Sequence, residues 1–124
     1  MRFSAIDHVQ LAMPAGAEDA ARAFFVDVLG MTELRKPARG AGAGGCWFQS
    51  GPVHLHLGVE QDFRPARKAH PAIVVPSLAE LRARLVGAGY DVQPGGKLEG
   101  RERAFSPDCF GNRIEWIELD APLL

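Results

Sequence analysis

The side chains whose type and spacing suggest chemistry are four histidines, His8, His54, His56 and His70, and one carboxylate, Glu115, which sits among apolar neighbours in Arg113-Ile114-Glu115-Trp116-Ile117. Neutral imidazoles with a carboxylate suit a borderline divalent transition metal such as Zn, Ni, Fe, Co or Mn. They suit Ca or Mg poorly, because imidazole is not a hard oxygen donor. In a strand, successive side chains point to opposite faces. The run Val53 to Glu60 therefore turns Val53, Leu55, Leu57 and Val59 one way and His54, His56, Gly58 and Glu60 the other. Ile6 to Met13 alternates too, so that His8 shares a face with Gln10. On the last run Glu115 shares its face with Arg113 and Ile117, opposite Ile114 and Trp116.

The elements that must carry these residues repeat. Ile6–Met13 reads as a strand. A helix follows, with acidic Glu18 and Asp19 at its start, the stripe Ala21, Phe24, Phe25, Val28, Leu29, and Gly30 as its stop. Strands are expected at Met31–Lys36, Cys46–Gln49 and Val53–Glu60. After a polar linker, 61–69, the order restarts with a strand at His70–Val75. Ser77-Leu78-Ala79-Glu80 then has the form of a capping box, with Leu78, Leu81 and Leu85 at helical spacing and Gly87 and Gly89 at the end. Further strands are expected at Tyr90–Gln93, Arg101–Ser106 and Arg113–Leu119. The fold class is thus α+β, a single domain over 1–124 made of two βαβββ modules, 1–62 and 68–120. They form a pseudo-symmetric concave half-barrel around a cleft.

The repeat aligns the candidates. His8 and His70 open the two modules 62 positions apart, and His56 and Glu115 lie on the closing strands, 48 and 45 positions further on. A pseudo-two-fold axis brings these four to one point. His54, Gln10 and Arg103 are expected on the substrate side. Arg101 alternates with Arg103 and can also reach an anionic substrate, whereas Arg64, Arg67 and Lys68 in the linker read as solvated surface.

Composition narrows the field. A formal net charge of -1, with 47% hydrophobic and 23% charged residues, gives no broad positive field for nucleic acid. No window resembles a membrane span, and the first residues lack a signal peptide's apolar stretch. Cys46 and Cys109 have neither zinc-site nor disulfide-scaffold spacing, and a reducing cytoplasm is the expected compartment. Gly40-Ala41-Gly42-Ala43-Gly44-Gly45 matches G-x-G-x-x-G but precedes Cys46-Trp47-Phe48 rather than a helix, so it reads as a hairpin loop with a possible role as a lid, not a dinucleotide site.

The element order, with Ile6-Asp7-His8-Val9-Gln10-Leu11, Ala23-Phe24-Phe25-Val26-Asp27-Val28-Leu29-Gly30 and Asp108-Cys109-Phe110-Gly111-Asn112-Arg113-Ile114-Glu115, resembles the vicinal oxygen chelate superfamily over nearly the whole chain. That superfamily holds glyoxalase I, the fosfomycin- and bleomycin-resistance proteins and the extradiol dioxygenases. The resemblance implies metal ligands on the first and last strands of the modules, at His8, His56, His70 and Glu115, and, in its glyoxalase-like form, Glu115 as the catalytic base. The chain departs from the usual pattern at Phe25, where tyrosine is common, and at Cys109, where proline is usual.

A metal-dependent enzyme of lyase or isomerase type is then expected, acting on a small substrate with neighbouring oxygens, the metal serving as a Lewis acid that stabilises an enolate or oxyanion. The competing class is a non-catalytic binder that sequesters a small molecule or antibiotic. An Fe(II) dioxygenase is third, because the imidazole of His56 would fill a position that chemistry leaves open. Free sheet edges and apolar Trp47, Phe48 and Trp116 suggest a homodimer with two equivalent sites, in which His8 can come from one chain and His70 and Glu115 from the other.

Overall fold

The computed structural model describes residues 1–37 and 43–120. The chain divides between Arg64 and Pro65 into two compact units, each a βαβββ module. In module 1, β1 (Val9–Met13) leads to α1 (Glu18–Arg22), which runs on as a π-helical segment over Ala23–Val28. Strands β2 (Thr32–Leu34), β3 (Cys46–Ser50) and β4 (Val53–Val59) follow. The sheet order is β1-β4-β3-β2, with β1 parallel to β4 and the other pairs antiparallel.

Module 2 repeats this with β5 (Ala72–Val75), α2 (Leu78–Gly87), β6 (Gln93–Leu98), β7 (Arg101–Pro107) and β8 (Arg113–Glu118), in the order β5-β8-β7-β6. Its β5 is likewise parallel to β8. Both sheets are open, and the fold is the α+β tandem that the alternation and the repeat imply.

The core of each module lies between its sheet and its helix. Leu11, Met13, Leu55, Leu57 and Phe48 are buried with Ala21, Phe24 and Phe25, the last stacked on Phe48 at 5.1 Å. Burying each such side chain stabilises by about 1.5–3 kcal/mol. In module 2, Leu85, Ala104, Ile114 and Trp116 fill the same layer, and the Trp116 indole N–H donates to the Ser106 hydroxyl at 2.8 Å. The Ser77 hydroxyl caps α2 by accepting from the Glu80 N–H, and the Glu118 carboxylate accepts from the Leu78 N–H.

Four expectations need correction. Strand β1 begins at Val9, so His8 stands one residue before it. The first helix is not regular throughout. The Leu29 N–H bonds five residues back to the Phe24 carbonyl, and on this wider turn the adjacent Phe24 and Phe25 are both buried. The strand placed at Tyr90–Gln93 lies instead at Gln93–Leu98. Pro94 and the two glycines are tolerated there because β6 is an edge strand with a register shift between Pro94 and Lys97. Finally, Phe48 and Trp116 are buried, so of the three aromatics expected at a partner surface Trp47 alone keeps exposed area. The Gly40–Gly45 loop begins in residues outside those described.

Candidate functional site

Strand register decides which side chains meet on the face opposite each helix. In module 1 one row crosses all four strands: Leu34 opposes Trp47, Trp47 opposes His56, and His56 pairs with Gln10. In module 2 the matching row is Gln93, Phe105, Glu115 and Ala72. His56 and Glu115 are therefore equivalent, as are His8 and His70, each two residues before the β1 or β5 member of its row. Equivalent too are the aromatics beside them, Trp47 and Phe105. Sequence reading missed these two in this role, although the period of β3 and β7 already turns both away from the helix.

The module 1 side chains line a cavity of about 560 Å³ with His8, Gln10, Trp47, His54, His56 and Gly58 on its wall. Trp47, His56 and His8 stack in a ladder, with ring centroids 4.1 and 4.0 Å apart and planes within 8° and 14° of parallel. His56 is buried at its centre, and that burial, with His8 and His54 nearby, holds its imidazole below the usual histidine range. His8 Nδ1 lies 2.8 Å from the Asp7 carboxylate, an acceptor that favours a proton on Nδ1. A Cβ at Gly58 would stand 2.4 Å from the Gln10 amide nitrogen, so a larger residue there displaces the Gln10 side chain.

Glu115, 6% exposed, anchors the module 2 cluster. Its Oε1 lies 2.9 Å from His70 Nε2, and its Oε2 accepts from Arg103 Nη1 at 3.3 Å. His70 Nδ1–H donates to the Lys68 carbonyl at 2.7 Å. Arg103 is steadied by Nε donating to the Gly95 carbonyl, and a Cβ on Gly95 would press on both Arg103 and Phe105. The ring of Phe105 meets His70 edge-on at 5.5 Å. Arg101 is drawn elsewhere, 4.0 Å from Asp120.

The arrangement can be tested for a metal. An imidazole with acceptors at both nitrogens is satisfied by a second ring proton or by a cation on Nε2, and the 2.9 Å from His70 Nε2 to Glu115 Oε1 matches two adjacent ligands of one ion at bond lengths of about 2.1 Å. The acceptors on Nδ1 of His8 and His70 are the outer partners that ligating histidines ordinarily have. Within its own module, each of His8, His70 and Glu115 carries a donor atom of ligating type. The stacked ring of His56 does not aim a lone pair where His8 does, so it fits only in another rotamer. Among the described residues no three His, Cys, Asp or Glu side chains are grouped to hold an ion, each module bringing together its own pair. Cys109 is no nucleophile: burial and the Asp108 charge push its thiol up to about 12. Among the described residues no helix is long and apolar enough to cross a membrane.

No family model and no curated protein matches the chain. Among solved structures, a glyoxalase family protein from Bacillus anthracis is 42% identical, with 95% of this chain and 97% of that chain covered and a TM-score of 0.88. A lactoylglutathione lyase from Agrobacterium tumefaciens is 23% identical over 95% and 96% of the two chains, with a TM-score of 0.68. TnmS3, an antibiotic binding protein from a Streptomyces species, is 20% identical over 95% and 98%, also at 0.68. The last two likenesses concern the fold alone.

Proposed function

From the premise that the chain belongs to the glyoxalase family, within the vicinal oxygen chelate superfamily, we propose that it is a divalent-metal-dependent enzyme of lyase or isomerase type, acting in the cytoplasm on a small substrate with neighbouring oxygens. His8, His56, His70 and Glu115 are its metal ligands, His56 joining when its ring leaves the stack. One observation carries this reading: in both modules the histidine ahead of the first strand has Nδ1 tied to an acceptor, Asp7 or the Lys68 carbonyl, with Nε2 turned to other use. When bound, the ion supplies a Lewis acid toward the substrate's oxygens.

The chain's own residues then have separate tasks. Glu115 is the proton acceptor at the substrate carbon, its carboxylate held by His70 at Oε1 and by Arg103 at Oε2. Arg103 orients that carboxylate, and Phe105 is the apolar wall beside it. Gln10 and His54 face the substrate from module 1. We further propose a homodimer with two equivalent sites, with His8 from one chain and His70 and Glu115 from the other.

The test is the metal content of protein purified without chelators or a metal-affinity tag. Near-stoichiometric transition metal is expected in the parent, with at least tenfold weaker binding in His8→Ala, His70→Ala and Glu115→Ala. No copurifying or rebinding metal, with the three variants unchanged, sinks the proposal. A second reading, non-catalytic sequestration of a flat ligand, is favoured by the Trp47–His56–His8 ladder, whose parallel rings form a stacking wall on the module 1 cavity. It would leave ligand binding intact in metal-free protein. Light scattering after size exclusion tests the dimer.

A further inference from the structure

Module 2 holds a second cavity, of about 400 Å³, beside the His70–Glu115 cluster and lined by Arg67, Gln93, Phe105, Pro107, Gly111 and Arg113. Its construction starts from a buried turn. The Asp108 carboxylate accepts from the N–H groups of Phe110 and Asn112 and from the Asn112 side-chain amide, at 2.8 to 2.9 Å. The Asn112 amide oxygen in turn accepts from the Ala66 N–H at 3.0 Å, and the Arg113 N–H donates to the Ala66 carbonyl at 2.8 Å. Ala66 is thus held at both its backbone polar groups by residues 112 and 113. The linker is exposed at Ala66, Arg67 and Lys68, as its composition implies, but its backbone is pinned to the turn, and Arg67 and Arg113 line one cavity.

Among the described residues their charges lack a protein counterion. Arg22, Arg101 and Arg103 each have a carboxylate within 4.0 Å, but among the described residues none lies that close to Arg67 or Arg113. Arg113 is half-buried, its guanidinium 3.9 Å above the Phe105 ring, which fixes the plane of the fork and leaves its N–H edges for another partner. Two guanidiniums at one cavity repel each other, and an oxyanion between them turns that repulsion into charge-assisted, fork-matched hydrogen bonds. Arg113 and Glu115 lie on the same face of β8, two residues or about 7 Å apart.

We propose that this cavity is an oxyanion site, taking the carboxylate or phosphate group of a small molecule on Arg67 and Arg113. Resting on the enzyme reading above, that group is the anionic tail of the substrate, whose reacting end lies at Glu115. The substrate class is then a small acid or phosphate ester with its neighbouring oxygens about one strand repeat from the anionic group.

The experiment uses full-length protein kept metal-free with a chelator, so that its outcome is independent of the metal proposal. Inorganic phosphate and propanoate are titrated separately at constant ionic strength, with amide ¹H–¹⁵N shifts as readout. Saturable shifts are expected at Ala66, Arg67, Gly111 and Arg113, and the arm that saturates at lower concentration names the oxyanion. Arg67→Ala and Arg113→Ala are each expected to weaken it at least tenfold. Arg113→Lys, which keeps the charge and the backbone bond but loses the planar fork, weakens it less. Arg35→Ala, which removes an exposed charge from module 1, leaves it unchanged. No saturable shift in either arm, or equal binding in the parent and all arginine variants, overturns the proposal.

Discussion

Replacing Asp108 by Asn changes one oxygen to an amino group and tests the hydrogen-bond directions on which the module 2 turn depends. Asp108 and Asn112 are 2% and 1% exposed, so neither has water to fall back on. The new carbonyl must stay where Oδ1 now accepts two backbone N–H groups. The new amino group then faces the Asn112 amino group, donor against donor, where Oδ2 accepted at 2.9 Å. Turning the residue 108 amide aims its amino group at the two backbone N–H groups. Turning the Asn112 amide aims that one at the Ala66 N–H. The conflict can be moved along the network but not removed.

The lost hydrogen bond to a charged acceptor is worth about 1.5–3 kcal/mol, and the stranded buried donor costs about 1–3 kcal/mol more. Some of this is returned, because burial holds the Asp108 carboxyl above its ordinary range and the variant no longer buries a charge. A net loss of about 2–3 kcal/mol is expected, roughly 6–15 °C in Tm for a chain of this size. The decisive companion is the exchange Asp108→Asn with Asn112→Asp. There the residue 108 carbonyl keeps both backbone bonds and its amino group donates to the new carboxylate. The other oxygen of that carboxylate accepts from Ala66, so more than half of the loss should return. Thermal unfolding by circular dichroism at pH 7 measures both. A single variant within about 1 °C of the parent, or an exchange no better than the single variant, refutes the reasoning.

Two further outcomes follow from groups held away from their ordinary ionisation. The folded pKa of His56 lies below the unfolded value near 6.5. As pH falls through 6.5 the unfolded chain therefore takes up the proton first, and the fold loses stability until the folded imidazole also protonates. His56→Gln should flatten the fall in Tm between pH 7.5 and 5.5, and an unchanged slope would remove the buried-neutral assignment. Cys109, pushed up to about 12, and Cys46, raised by burial, should resist iodoacetamide at pH 8, Cys109 having about a thousandfold fewer thiolates than a free cysteine. Labelling of either native thiol at the rate of free cysteine would contradict that burial.

What the sequence makes legible here is whatever has a period. The alternation of Val53–Val59 and Arg113–Glu118, the Ser77 cap and the restart of βαβββ need no knowledge of distant residues, and they already place His56 and Glu115 opposite their helices. Where a local signal has two physical meanings, the reading fails. Pro94-Gly95-Gly96 says turn, and an edge strand tolerates it; Phe24-Phe25 says regular helix, and a widened turn buries both. Trp47 looks like spare apolar surface and Phe105 carries no signal of its own until the strands are set in register, when the same offset puts one beside His56 and the other beside Glu115. Arg67 is harder still, because the bond that places it runs from Ala66 to an amide 46 residues away. The linker's composition says solvent, and Ala66, Arg67 and Lys68 are exposed, but nothing local to it reveals the backbone bonds that hold it. Periodicity therefore locates the residues that carry charge and lone pairs, while register and a few long-range polar bonds decide which of them share a cavity. Substrate choice in such a fold depends on the second set.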